Sequence, residues 1–166
     1  MVDDVGFQMQ LLHRLLRLLS DYLMLPLFEH HGGTRDTTLG GRLCVLRTAG
    51  RKSGLPREIP LSYSRTTAGI VVLAGFGRGC GWVYNLRAQP RVEVLVGDHY
   101  YRAIAVEVTD AEQALLATRA LLKDAGAAGF FYGWDPRRAS DEQVRKVVAE
   151  TYCFHLRFED KPAWAP

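Results

Sequence analysis

The feature of this sequence that most restricts its fold is a hydrophobic pattern repeating every second residue in six short segments. Alternation of this kind, in segments rich in Val, Ile and Tyr and bounded by Gly, Pro and Asp, is typical of β-strands. Most of the segments are joined by short turns, and few helices separate them, which favours an antiparallel barrel over a doubly wound parallel sheet. The six predicted strands are Leu43 to Thr48, Arg57 to Arg65, Gly69 to Gly75, Arg91 to Val96, His99 to Thr109 and Thr151 to Phe158.

Helical signals between these strands are fewer. The residues from Gly79 to Ala88 can form one short helix that ends before Pro90, because the residue before a proline disfavours the helical conformation. Capping-box pairs, in which a hydroxyl and an acid or amide three residues later satisfy backbone groups, predict the starts of two further helices. These pairs are Thr109 with Glu112, and Ser140 with Gln143. The predicted fold is therefore mainly β with flanking helices (α+β).

Residues 5 to 29 form a strongly apolar segment with one polar stripe, the pattern of an amphipathic helix. Two interpretations stay open. The helix packs over an open side of the core or over a partner subunit, or it lies on a membrane with its arginines against anionic headgroups. No apolar run reaches the roughly 20 residues of a membrane span. A Gly/Thr-rich linker follows this segment. We therefore expect one structural domain in two parts: the helix and linker at residues 1–41, and the cofactor-binding barrel at residues 42–166.

Length, charge and cysteine usage exclude several classes of protein. The 166 residues fit one domain, and a formal charge of +3 is too small to require a nucleic-acid partner. The three cysteines, Cys44, Cys80 and Cys153, are an odd number without C-x-x-C spacing. That argues against a disulfide framework and against a metal site, and it favours a cytoplasmic location.

The turn predicted between the first two strands is strongly basic. Four cations and no acid lie between Arg47 and Arg57, and the turn itself reads Gly50-Arg51-Lys52-Ser53-Gly54. Glycines let backbone N–H groups converge, a hydroxyl donates, and Arg and Lys supply positive charge, which together suit a phosphate. The alternative interpretation is an ordinary solvated turn.

A second glycine-rich segment runs from Gly75 to Gly81 and precedes Trp82. It lacks the third glycine of the G-x-G-x-x-G dinucleotide motif, and no βαβ unit surrounds it. It predicts either a loop that a ligand can approach closely, at a helix N-terminus that favours negative charge, or a plain strand-to-helix turn. Aromatic side chains that could line a pocket for a flat ring are Tyr63, Trp82, Tyr84, Tyr132 and Trp134.

The order of these motifs resembles the deazaflavin-dependent nitroreductase family. The resemblance covers residues 43 to 112 and rests on Gly50-Arg51-Lys52-Ser53-Gly54, Pro56-Arg57, Pro60-Leu61, a glycine-containing loop after a strand, Trp82, Asn85-Leu86 and Pro90-Arg91-Val92. It implies a six-stranded antiparallel split β-barrel, similar to FMN-binding barrels. It also implies that the barrel binds the 5-deazaflavin coenzyme F420 and passes hydride from the reduced coenzyme to an acceptor. Split barrels often share each site between two chains, so a homodimer stays open as one alternative.

The resemblance also implies which residues hold the coenzyme. The phosphate and acidic tail would be held by Arg51, Lys52, Ser53, Gly54 and Arg57. The ring would be flanked by Pro60, Leu61, Ala74, Gly75, Phe76 and Gly77, and closed off from the short helix by Trp82, Asn85 and Leu86. Acceptor-orienting contacts are expected from Tyr63, Tyr84, Tyr132 and Trp134. No catalytic acid or base is predicted, since the coenzyme supplies the hydride.

The expected function is F420H2-dependent reduction of a small-molecule quinone, activated alkene or nitro-aromatic. Two alternatives stay open. One is an FMN-dependent oxidoreductase on the same barrel. The other is a non-catalytic split barrel that binds heme or a lipid-like ligand, with the N-terminal helix as lid or peripheral membrane contact.

Overall fold

Six strands form one closed antiparallel barrel in the computed structural model, which describes residues 41–75, 79–124, 135–162 and 164–165. The strands are β1 (Leu43–Ala49), β2 (Pro56–Thr66), β3 (Gly69–Leu73), β4 (Arg91–Val96), β5 (His99–Glu107) and β6 (Cys153–Phe158). They neighbour one another in the order β1-β2-β3-β6-β5-β4, and β4 pairs back onto β1. The predicted six-stranded antiparallel barrel is therefore confirmed.

Two tight hairpins set the register of the barrel. Gly97 and Asp98 connect β4 to β5, so that Val96 pairs directly with His99. Gly97 has a φ of 64°, the left-handed conformation that a two-residue hairpin turn requires and that glycine adopts without strain. The β1–β2 hairpin brings its basic turn to the end of the barrel where β4 begins, because Arg47 pairs with Glu93 on the other side of β1.

The core lies inside the barrel, where alternate residues of every strand meet. Leu46, Ile70, Val94 and Leu156 are fully buried there, as period-two alternation predicts. β3 is buried along its whole length because a helix covers its outer face as well. The outward-facing Leu73 accordingly packs in a second, smaller cluster with residues of two helices.

Three helices and one 3-10 turn accompany the strands in the described parts of the chain. They are α1 (Gly81–Ala88), α2 (Ala111–Asp124) and α3 (Asp141–Glu150), with the turn at Pro136–Arg138. α1 contacts β1, whereas α2 packs across β2, β3 and β6 and supports α3. None of these helices is long and apolar enough to cross a membrane.

One of the two predicted helix caps is correct. Ser140 and Gln143 form the complete capping box, each side chain accepting a hydrogen bond from the backbone N–H of the other. The prediction for Thr109 is wrong by one residue. Asp110 caps α2, because its Oδ1 accepts from the N–H of Gln113 at 2.8 Å and its carbonyl accepts the first helical hydrogen bond.

Part of the sequence-based prediction lies outside the described residues. The N-terminal helix over residues 5–29 belongs to it, and so do the predicted site residues Phe76, Gly77, Tyr132 and Trp134. Within the described residues, no group of three or more His, Cys, Asp or Glu side chains could hold a metal ion.

Candidate functional site

The basic turn between β1 and β2 is compact. The N–H of Gly50 donates to the carbonyl of Leu55 at 2.8 Å, and the N–H groups of Ser53 and Gly54 both donate to the carbonyl of Gly50. Gly54 has a φ of 67°, which a residue with a side chain rarely adopts. These contacts turn the chain sharply and leave the three residues between the two glycines exposed.

Three cations at this turn are free of carboxylates in the described structure. Arg51, Lys52 and Arg57 are all exposed, and none of them forms an ion pair with any acid in the described ranges. An arginine offers a planar fork of N–H donors and a lysine a flexible point charge. The turn therefore presents a donor set suited to phosphate or carboxylate groups.

The fourth cation of the segment is not part of this set. The guanidinium of Arg47 donates to Glu58 at 2.6 Å and to Glu93 at 3.2 Å, bridging the two neighbouring strands. The hydrogen bond with Glu58 raises the pKa of Arg47 further above its usual value. With two carboxylates already bound, Arg47 contributes to the outer face of the barrel and not to an anion site.

Asn85 of α1 connects this turn to the barrel. Its side-chain Oδ1 accepts a hydrogen bond from the N–H of Arg51 at 3.1 Å, and its Nδ2 donates to Oγ1 of Thr48 at 3.2 Å. Asn85 is 7% exposed and Thr48 is 3% exposed, so water competes little with either hydrogen bond. The turn is thereby fixed over the middle of α1.

Tyr84, the residue before Asn85, lies beside the side chain of Arg51. The guanidinium carbon of Arg51 is 5.1 Å from the centre of the Tyr84 ring, and Nη1 donates to the carbonyl of Gly81 at 3.5 Å. The ring also lies 5.9 Å from the guanidinium of Arg87. Tyr84 is 40% exposed, and its ring thus lies near two guanidinium groups at the surface of α1.

Arg87 is held firmly in its place. Its Nε and Nη2 donate to the two carboxylate oxygens of Glu107 at 2.9 and 2.7 Å, and its guanidinium carbon lies 4.3 Å from the Tyr152 ring centre. The hydrogen bonds with Glu107 raise the pKa of Arg87. A bidentate ion pair of this kind fixes the plane of the guanidinium.

The residues predicted to surround the coenzyme ring differ in their burial. Ala74, Trp82 and Leu86 are buried in the barrel core, and the Trp82 ring packs against Phe154 at 5.7 Å between centroids. Half-buried or exposed positions are occupied by Pro60, Leu61 and Gly75. The structure shows that the three buried residues pack in the core, and their contacts with a coenzyme stay predictions.

The aromatic residues predicted to orient an acceptor lie in different environments. Tyr63 is 2% exposed and belongs to the core cluster, where an acceptor does not reach its side chain without movement of its neighbours. Of the two predicted acceptor-orienting residues that the structure describes, Tyr84 is the exposed one, and it contacts two arginines. Their acceptor contacts stay predictions.

Sequence reasoning missed several residues around the turn. The residues next to Thr48 in the sequence do not indicate a role for it, because it is a polar residue at an inward position of a strand. Its role becomes clear only from its hydrogen bond with Asn85 of α1. A groove of about 430 Å³ also opens beside Gly54 and Pro56. Its other lining residues include Arg91 and Arg102 from β4 and β5, which come together only through strand pairing.

Comparison with known proteins finds one family and several similar folds. A family model described as F420H(2)-dependent quinone reductase matches residues 26–130. An F420H(2)-dependent quinone reductase of Mycobacterium tuberculosis is 36% identical over 67 residues, which are 39% of this chain and 45% of that protein. The match thus spans less than half the length of this curated relative.

Two solved structures share the barrel. One is a conserved hypothetical protein of Mycobacterium tuberculosis, with a TM-score of 0.55, 18% identity, and coverage of 72% of this chain and 74% of the other. The second is a Listeria innocua protein whose name proposes a pyridoxamine 5'-phosphate oxidase, with a TM-score of 0.51, 14% identity, and coverage of 86% and 96%. At such low identity they show the fold alone, the split β-barrel of flavin-binding proteins.

The segment matched by the family model covers more than half of the chain and includes the basic turn, the glycine-rich segment, α1 and the first five strands. The resemblance inferred from the order of the motifs is thus confirmed. This chain belongs to the F420H(2)-dependent quinone reductase family, a family of oxidoreductases whose coenzyme is F420.

Proposed function

We propose that this protein transfers hydride from reduced F420 to a quinone, and that the turn between β1 and β2 holds the anionic part of the coenzyme. The observation that carries the proposal is the set of three exposed cations, Arg51, Lys52 and Arg57, without carboxylate partners in the described structure. The set lies inside the segment that matches the family.

The chemistry of this set fits the coenzyme. F420 carries a phosphate and an acidic tail, and charge-assisted hydrogen bonds from Arg and Lys are the strong contacts available to such groups. Ser53 is exposed in the same turn, and its hydroxyl can donate to the same phosphate. The turn is also already fixed by Asn85, so little of its freedom is lost on binding.

Bound F420 supplies the hydride, and the residues of this chain bind and orient the coenzyme. Arg51 and Lys52 hold its charged end at the turn. Gly75, at the end of β3, carries no side chain and leaves room for close approach of the ring. The buried Trp82 and Leu86 anchor α1 in the core of the barrel. An acceptor would then need access to the bound coenzyme, and activated alkenes and nitro-aromatics are proposed as further acceptors.

The first test is a fluorescence titration of the full chain with F420 and, separately, with FMN, each at two salt concentrations. Binding of F420 that weakens with salt is expected, because the contacts are between charges. FMN binding alone would move the chemistry to a flavin. Binding of neither compound would overturn the proposal and leave the heme- or lipid-binding alternative.

The second test removes the cations. Each charge-assisted hydrogen bond is worth about 1.5 to 3 kcal/mol, so losing one from each cation in the double variant Arg51→Ala/Lys52→Ala should weaken F420 binding by at least about a hundredfold. The matched control is Arg145→Ala/Lys146→Ala, which removes two exposed cations from α3. Equal affinities in both double variants would show that the turn is not the coenzyme site.

The third test is activity. The full chain with reduced F420 should reduce a soluble naphthoquinone, followed by the return of oxidised F420 absorbance. A panel that adds an activated alkene and a nitro-aromatic then ranks the acceptors by kcat/KM. Tight binding of F420 without turnover of any acceptor would keep the coenzyme site and refute the reductase.

A further inference from the structure

We propose that Tyr84 and Asn85 are positioning residues for Arg51, with Asn85 fixing its backbone and Tyr84 its guanidinium. The inference rests on the proposed function, because it concerns the cation that would bind the coenzyme. It assigns Tyr84 a task different from orienting an acceptor.

The two residues can act together because they are consecutive on a helix. Neighbouring helical residues point about 100° apart, so one can face the barrel while the next faces solvent. Asn85 is buried and Tyr84 is exposed. Arg51 lies between them, its backbone N–H on the buried side and its guanidinium on the exposed side.

The hydrogen bonds of Asn85 determine what Arg51 can offer a ligand. The Nδ2 of Asn85 donates to Thr48, so the amide must direct its oxygen towards Arg51. The N–H of Arg51 is thereby occupied and unavailable to an anion. Recognition of a ligand then depends on the guanidinium, which extends from a backbone position that Asn85 has fixed.

The ring of Tyr84 restricts the guanidinium in turn. A free arginine side chain has many rotamers, and binding a ligand must remove that freedom. The face of an aromatic ring attracts a guanidinium, and the carbonyl of Gly81 accepts one of its N–H groups. Arg51 is therefore held along α1 before a ligand arrives.

Tyr84 also lies near a second arginine. Arg87 contacts the ring at 5.9 Å, and Glu107 fixes Arg87 by two hydrogen bonds. Because the charge of Arg87 is paired with Glu107, its repulsion of Arg51 is reduced. Glu107, Arg87, Tyr84 and Arg51 thus form a continuous series from β5 to the turn.

The test exploits the difference between the ring and the hydroxyl of Tyr84. If the ring positions Arg51, Tyr84→Leu should raise the Kd for F420 about three- to tenfold. Tyr84→Phe keeps the ring, so its Kd for F420 should equal that of the wild type. The KM for the quinone, measured at saturating F420, should stay within twofold in both variants. A raised quinone KM in Tyr84→Phe would instead favour the acceptor-orienting interpretation and overturn the proposal.

A double-mutant cycle shows whether Tyr84 acts through Arg51. In the Arg51→Ala background, Tyr84→Leu should have no further effect on the Kd for F420, since its target is gone. Additive effects would contradict the proposal. Tyr100→Leu is the matched control, because Tyr100 is also exposed and lies 5.1 Å from a guanidinium, that of Arg47 on the outer face.

Asn85→Ala should raise the Kd more than Tyr84→Leu, because it frees the whole turn. Its folding is checked by far-UV circular dichroism, and if it does not fold, the Tyr84 and Arg51 cycle decides alone. Wild-type protein that fails to bind F420 refutes the proposed function and this inference together. If the wild-type protein binds F420 and Tyr84→Leu leaves the Kd unchanged, only this inference is refuted.

Discussion

Substitution of Gly69 by alanine should open the barrel at the pairing of β3 with β6. Gly69 has a φ of 149°, and a Cβ at this position would lie 2.1 Å from the carbonyl oxygen of Leu156 and 3.1 Å from the N of Phe158. Real Cβ atoms do not approach an oxygen that closely. The clashing atom belongs to the backbone of β6, which is paired with β3 on one side and β5 on the other.

The expected cost has two parts. A residue with a side chain in this sparsely populated backbone region costs about 1 to 3 kcal/mol, and forcing atoms into a packed site costs about 1 to 3 kcal/mol more. Together these costs predict a loss of about 2 to 6 kcal/mol in the free energy of unfolding. With a urea m value of about 2 kcal/mol per M, the unfolding midpoint falls by about 1 to 3 M.

Gly54 supplies the matched control. Its φ of 67° is also in the left-handed region, but a Cβ there would meet nothing within 4 Å. Gly54→Ala should therefore cost only the backbone term, about 1 to 2 kcal/mol. Urea unfolding followed by both tryptophan fluorescence and circular dichroism measures the two variants and checks that the transitions coincide. Equal losses in Gly69→Ala and Gly54→Ala would refute the reasoning from the clash.

Three further predictions concern pH, thiol reactivity and a helix cap. Burial, aided by the charge of Arg157, lowers the pKa of His155, so the unfolded state takes up a proton first as pH falls below about 6.5. Wild-type protein should therefore lose more stability between pH 7.5 and 5.5 than His155→Gln; an equal loss would contradict this. Burial raises the pKa values of Cys44 and Cys153 to about 12, so a thiol reagent should modify at most one cysteine of the folded chain, the partly exposed Cys80. Fast reaction in Cys80→Ser would contradict that assignment. Asp110→Ala should lower the free energy of unfolding by about 1 kcal/mol and Thr109→Ala by less than half of that, and the reverse order would restore Thr109 as the cap.

Much of the fold could be predicted because its signals are local. The alternation of β1 and β4, and the Gly97-Asp98 turn between β4 and β5, are properties of a few consecutive residues. The position of β6 between β3 and β5 could not be predicted in this way, because hydrophobic alternation does not specify a strand's partners. The cap of α2 was misplaced by one residue because Thr109 and Asp110 both have suitable side chains, and only the hydrogen bond to Gln113 distinguishes them.

The candidate site divides in the same manner. The cations of the basic turn are contiguous in the sequence, so their chemistry could be recognised directly. Thr48 and Glu107 could not be recognised, because their partners are 37 and 20 residues away and no local pattern links them. Tyr63 shows the converse difficulty, since an aromatic residue on a strand serves a core as readily as a pocket; it is buried here, and its acceptor contact stays a prediction.

The place of β6 in the barrel has a consequence for synthesis on the ribosome. Until residue 158 has emerged, β3 and β5 each expose an unpaired edge, and exposed edges promote association between chains. The turn, Asn85 and Thr48 come from only 38 consecutive residues, 48 to 85, so this part can assemble earlier. The nascent chain can thus pass through a period in which the basic turn is formed while the barrel is still open, and a molecule that covers the open edges of β3 and β5 would then protect the chain from aggregation.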